Sequence, residues 1–177
     1  MFIAFLNDGN VDPAGFIVGA STTLTKAAAE SNSLVELWYA NVSAGTADTV
    51  TFTNGAAYSV YGAAAAYATG LSATVSSPQT ETYGANGDPQ TLSSAVTVSS
   101  GQFGVVVMGT INGTLAANTP TWSNVVTSAG DVNAFLSTKG RISMAYTTTA
   151  GSWNPTVSGS GSGYSFAAGM AAAAFGP

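Results

Sequence analysis

The sequence predicts an all-β protein, an antiparallel, jelly-roll-like β-sandwich with one short helical connector, in a single domain spanning residues 1–177. Three observations predict it. Apolar side chains recur at every second position through several stretches, as a strand with one buried face requires. Pairs of Gly with Asn or Ser cut the chain at short intervals, the punctuation expected between antiparallel strands. Hydrophobic residues make up 46% of the chain and charged residues 6%, so there is apolar surface enough for a core and too little charge for a disordered polymer.

Taken in order, the first element is Met1-Phe2-Ile3-Ala4-Phe5-Leu6. It reads either as the first strand or as an apolar arm, within residues 1–15, that adds to the sheet edge of a neighbouring subunit. On the second reading Met1, Phe2, Ile3, Phe5 and Leu6 carry assembly. The segment lacks a basic flank and meets Asn7-Asp8 at once, so no signal peptide is expected. A strand is predicted over residues 16–25. In residues 34–39, Val35, Leu37 and Tyr39 share one apolar face, with Glu36 and Trp38 on the other. Residues 49–53 alternate Thr with Val and Phe, and Gly45 in the intervening segment suits a tight connection.

Further strands are predicted over residues 58–67, 91–99, 103–111, 141–148 and 164–175. In 103–111 the inward set is Phe103, Val105, Val107 and Ile111, and in 141–148 it is Ile142, Met144 and Tyr146. The alanine runs 63–66 and 171–174 have helical propensity, but their aromatic and glycine flanks argue for strands, where small side chains let two sheets or subunits approach closely. Turns are expected at Asn54-Gly55, at 86–89, at Ser100-Gly101, at Asn112-Gly113 and in the Gly/Ser stretch 158–163. The helical connector falls at 131–138, with Asp131 as N-cap and Gly140 beyond its end.

Chemistry is mostly excluded by what the chain lacks. It has no histidine and no cysteine, which removes the usual general base, the thiolate nucleophile, disulfides and thiolate metal sites. Three basic residues, Lys26, Lys139 and Arg141, against eight acidic ones give a net charge of −5, with no cationic face for nucleic acid. No apolar stretch is long enough to span a membrane as a helix. Asp8, Asn10 and Asp12 alternate as in a calcium loop, but Gly19 stands where the closing Glu of an EF-hand would be, so a capped turn is the plainer reading. The eight carboxylates show no distinctive pair for a glycosidase, and no motif places Lys26 or Lys139 beside a nucleophilic serine. Asn41 and Asn112 begin glycosylation triplets, which carry little weight where no signal peptide is expected. Neither an enzyme nor a cofactor or metal is expected. Trp38, Trp122 and Trp153 are the candidate binding residues: they either stack on a sugar ring, as in carbohydrate-binding sandwiches, or plug the ends of the sandwich as buried aromatic mass.

Residues 35–52, Val-Glu-Leu-Trp-Tyr-Ala-Asn-Val-Ser-Ala-Gly-Thr-Ala-Asp-Thr-Val-Thr-Phe, resemble a hairpin of the small Ala/Gly/Thr-rich β-sandwich virion proteins of tailed bacteriophages. The likeness continues through Tyr58-Ser59-Val60-Tyr61 and Gly70-Leu71, the hydrophobic strand 104–108, Thr121-Trp122, the strand 141–146 and the Ala-rich closing strand 167–175. It covers residues 34–175 loosely and brings no catalytic residue with it. The resemblance implies a structural virion protein, a capsid decoration or cement protein or a minor head or tail protein. Its partners would be other virion proteins and further copies of itself. The alternative is a carbohydrate-binding module that recognises a host-surface glycan.

Overall fold

All sixteen elements of the described residues are strands. The structure, a computed structural model, describes residues 1–7, 16–18, 22–30, 35–42, 50–52, 60–66, 68, 70, 74–83, 89–111, 121–125, 140–158 and 168–176. In chain order the strands are β1 (Phe2–Asn7), β2 (Phe16–Val18), β3 (Thr22–Thr23), β4 (Thr25–Ala29), β5 (Val35–Tyr39), β6 (Val50–Phe52), β7 (Val60–Ala66) and β8 (Val75–Tyr83). They continue with β9 (Gln90–Thr91), β10 (Val96–Val98), β11 (Phe103–Ile111), β12 (Thr121–Ser123), β13 (Gly140–Thr147), β14 (Gly151–Trp153), β15 (Thr156–Ser158) and β16 (Ala168–Phe175). The helical connector predicted at 131–138 lies outside the described residues, as do residues 8–15 with Asp8, Asn10 and Asp12.

Two four-stranded antiparallel sheets form the body, in the orders β4-β5-β1-β7 and β13-β11-β16-β8. They pack face to face, with β4 and β5 over β8 and β16, and β1 and β7 over β11 and β13. Alternation explains the interface. Phe2, Ala28, Val35 and Leu37 of the first sheet meet Val105, Val107, Ile142, Met144, Ala171, Ala173 and Phe175 of the second. Phe2 stacks on Phe103 with ring centroids 5.8 Å apart and lies 4.6 Å from Phe175, which Tyr39 meets edge-on at 5.3 Å. The inward sets read from the sequence for β5, β11 and β13 match this side, apart from Ile111, whose side chain is not among those described.

The all-β sandwich is thus present, but two features differ from the pattern the sequence suggested. Each main sheet takes its strands from one half of the chain, β1 to β7 for the first and β8 to β16 for the second, so the strands do not alternate between sheets along the chain. Neither sheet, moreover, is half-buried. On the far side of the second sheet, Val106, Met108, Ala145, Met170, Ala172 and Ala174 lie under Leu92, Val96, Val98, Trp153 and Val157. That cover is built from the β10-β14 pair and the three-stranded β12-β15-β9 sheet. On the far side of the first sheet, Met1, Ile3, Leu24, Trp38 and Ala40 form a third buried cluster. A strand buried on both faces must be apolar at consecutive positions, which is why β11 runs Gly-Val-Val-Val-Met and β16 runs Met-Ala-Ala-Ala-Ala-Phe.

β8, with the sequence Val-Ser-Ser-Pro-Gln-Thr-Glu-Thr-Tyr, was not predicted, because polar residues and a proline do not read as a strand. It forms the edge beyond β16, where proline is tolerated. Ser77 has φ 49° there, and the pairing register shifts between Ala172 and Ala174. The Ser100-Gly101 turn is as predicted: Gly101 takes φ 82°, and Gln102 N–H donates to the Ser99 carbonyl at 3.0 Å.

Candidate functional site

Of the three candidate tryptophans, Trp122 and Trp153 belong to one cluster on the far side of the second sheet, and Trp38 lies on the far side of the first. Trp38 projects from β5 on the side away from the sandwich core and is 7% exposed. Its indole N–H donates to Glu36 Oε2 at 2.8 Å, and the other carboxylate oxygen of Glu36 is 3.4 Å from Lys26 Nζ on the neighbouring strand β4. The Lys26 ammonium also sits 5.3 Å from the centre of the Trp38 ring. Glu36, one of the few charged side chains, is fully buried, and Lys26 and the indole N–H are among the partners that offset its charge there. A carboxylate held between donors on adjacent strands fastens β4 to β5.

Trp153 ends β14 and is 5% exposed. Its ring lies against Gly104 of β11: a Cβ at that position would come within 2.8 Å of Trp153 Cε3, so only glycine admits the ring. Its N–H donates to the Asn124 carbonyl at 2.6 Å, and Asn124 in turn donates through Nδ2 to the Asn154 carbonyl at 3.3 Å. Trp122, half-buried on β12, packs on the same cluster and donates to Ser143 Oγ at 2.8 Å. All three tryptophans therefore pack as aromatic mass over a sheet with the indole N–H satisfied, and Trp38 and Trp153 expose no face on which a sugar ring could stack. The alternating Val96 and Val98 of the partner strand β10 are the sequence signal that the segment holding Trp153 pairs and covers a core.

A cleft of about 240 Å³ opens beside Trp153, lined by Asn124, Val125, Thr147, Thr149, Gly151 and Ser152. Among the described residues that line it none is ionisable, and the Thr149 N–H donates to Thr147 Oγ1 at 3.1 Å. Among the described residues no group of three or more His, Cys, Asp or Glu could hold a metal ion, and no helix is long and apolar enough to cross a membrane.

The proposed assembly arm takes the plainer of its two readings. Phe2 to Leu6 pair with Tyr39 to Val35 of β5 on one side and with Ala66 to Gly62 of β7 on the other. Both hydrogen-bonding edges of β1 are therefore taken by its own sheet. Phe2, Ile3, Phe5 and Leu6 lie on this inner strand, and Met1 precedes it with its terminal ammonium donating to the Ala40 carbonyl at 2.8 Å.

Among the described residues the two main sheets end on β4 and β8 at one side of the sandwich and on β7 and β13 at the other. The chain matches no protein-family model, no curated protein and no solved structure.

Proposed function

We propose that this chain is a structural protein of a bacteriophage virion, a capsid decoration or cement protein or a minor head or tail protein, which acts through contacts with other proteins. The observation that carries the reading is the internal use of the charged and indole groups that the described strands bring together: Glu36, Lys26 and the three indole N–H groups are engaged with one another or with the fold. With charged residues only 6% of the chain, a partner would meet mostly hydroxyls, amides and backbone. Contacts made from such groups are short-ranged and little screened by salt, which suits a subunit present in many copies on a particle. The resemblance of residues 34–175 to small phage β-sandwich proteins supports the same reading. The test is quantitative mass spectrometry of purified particles from the phage or provirus that encodes the chain. A fixed copy number per particle, retained after a high-salt wash, is the expected result, and absence from the particles overturns the proposal.

A further inference from the structure

The cleft beside Trp153 combines two kinds of wall. Val125, Ala150 and Trp153 give it carbon surface, and Asn124, Thr149 and Ser152 stand among them with an amide and two hydroxyls. Asn124, Thr149, Ala150 and Ser152 are exposed, whereas Trp153 is packed on Gly104 and held by its indole N–H. Asn124 is fixed in three ways. Its φ is 59°, a left-handed conformation that asparagine tolerates better than most residues, its carbonyl accepts from the Trp153 indole, and its Nδ2 donates to the Asn154 carbonyl. Its Oδ1 enters neither of those bonds. The Thr149 N–H is engaged by Thr147 Oγ1, which steadies the turn that carries the Thr149 hydroxyl. Ser152 faces Thr97 across the β10-β14 pair and both are exposed, so hydroxyls continue outward from the cleft over that face.

These walls select a ligand by what they lack as well as by what they hold. None of the described residues that line the cleft is ionisable, so a charged ligand meets no counter-charge, and a chain of net charge −5 disfavours anions further. Trp153 exposes no ring face, so a flat aromatic ligand has nothing to stack on. A volume of about 240 Å³ lies below the roughly 300–1,000 Å³ of sites for drug-sized ligands and suits a single ring. A neutral sugar meets all three conditions, since it is one uncharged ring that alternates C–H patches with hydroxyls able both to donate and to accept. We propose that this cleft binds one residue of a neutral glycan, with C–H groups on Val125 and Ala150 and hydroxyls on Asn124, Thr149 and Ser152. Without ring stacking the site is weak: about twelve non-hydrogen atoms, at the efficiency of drug-sized ligands, correspond to a low-millimolar dissociation constant. The inference goes beyond the virion reading and does not depend on it.

The test is a titration of the intact, isotope-labelled chain, followed by amide and indole N–H resonances. The probes are the methyl glycosides of glucose, galactose, mannose and N-acetylglucosamine, each taken to roughly 50 mM, well above a low-millimolar constant. At least one sugar should move the Trp153 indole N–H and the backbone amides of residues 149–153 along a single saturating curve. Thr149→Val and Ser152→Ala each remove an exposed hydroxyl and nothing from the packed layer, and each should weaken that binding by about fivefold. Thr149→Ser, which keeps the hydroxyl, and Thr121→Val, exposed on β12 outside the cleft, should bind as the parent does. The same spectra show that each variant is folded. The inference is overturned by shifts that grow linearly with every sugar, by a saturating response confined to other residues, or by binding that Thr149→Val and Ser152→Ala both leave intact. Particle copy number is read separately: sugar binding by a chain absent from particles removes only the virion reading, and an inert cleft in a particle protein removes only this inference.

Discussion

At Glu36 a carboxylate lies in the interior with one oxygen 2.8 Å from the Trp38 indole nitrogen and the other 3.4 Å from Lys26 Nζ, and the two donors are not equivalent. Lys26 keeps 27% of its side chain exposed, so it stays partly hydrated whether or not its partner is present. Glu36 has no such recourse. Lys26→Met should therefore strand a buried anion and destabilise the protein by about 3 kcal/mol. Glu36→Leu, similar in volume, orphans one indole N–H and should cost about 2 kcal/mol. The double variant should resemble Glu36→Leu alone, because removing the lysine no longer uncovers a charge. Urea unfolding of the four proteins measures the coupling, and strictly additive losses would show that the pair does not act as a unit. The sequence shows Glu36 and Trp38 on one side of β5, but not that this side is buried, because a lone Glu in an alternating strand reads as solvent-facing. Its partner Lys26 is ten residues away, and only the pairing of β4 with β5 brings the two together.

In the strands, alternation identified the inward face of β5, β11 and β13 and missed that the opposite face is covered as well. Val105 and Val107 look into the sandwich, while Val106 and Met108 look the other way and are equally buried. The clue was legible in the consecutive valines of β11 and the four alanines of β16, since a half-exposed strand has no reason to be apolar at successive positions. Only part of the cover was legible in the sequence: β10 falls within the strand predicted over 91–99, whereas β12, β14 and β15 are three residues each and β9 is two, too short for a periodicity to register. β8 stayed hidden for the opposite reason, since the polar residues and the proline that guard an edge erase the pattern of a strand. The arrangement makes a prediction that a two-layer sandwich would not. Val105→Ala and Val106→Ala should each cost about 2 kcal/mol, because each deletes buried methyl groups from a packed layer. A near-neutral Val106→Ala in chemical denaturation would mean that the far side of the sheet is not sealed.

Over the whole molecule, connectivity and packing divide the chain differently. Hydrogen bonding separates it near Gly70, with β1, β4, β5 and β7 in one sheet and β8, β11, β13 and β16 in the other. The core ignores that boundary: Phe2, Ala28, Val35 and Leu37 of the first half share one buried cluster with Val105, Val107, Ile142, Met144, Ala171, Ala173 and Phe175 of the second. An isolated sheet would present that apolar face to water, and backbone pairing alone does not offset the chain entropy lost in forming it. The single domain predicted over residues 1–177 then has a direct test in the two fragments 1–70 and 71–177, cut after the exposed, left-handed Gly70. Each fragment alone should lack a cooperative thermal transition. Mixed at equal concentration, they should recover strand circular dichroism and one transition, since apolar association of the two faces replaces the covalent link and loses only its effective concentration. A fragment that unfolds cooperatively on its own would show that its sheet draws enough stability from its outer cover, the cluster of Met1, Ile3, Leu24 and Trp38 in one case and that of Val96, Val98, Trp153 and Val157 in the other. The chain would then be two domains in contact.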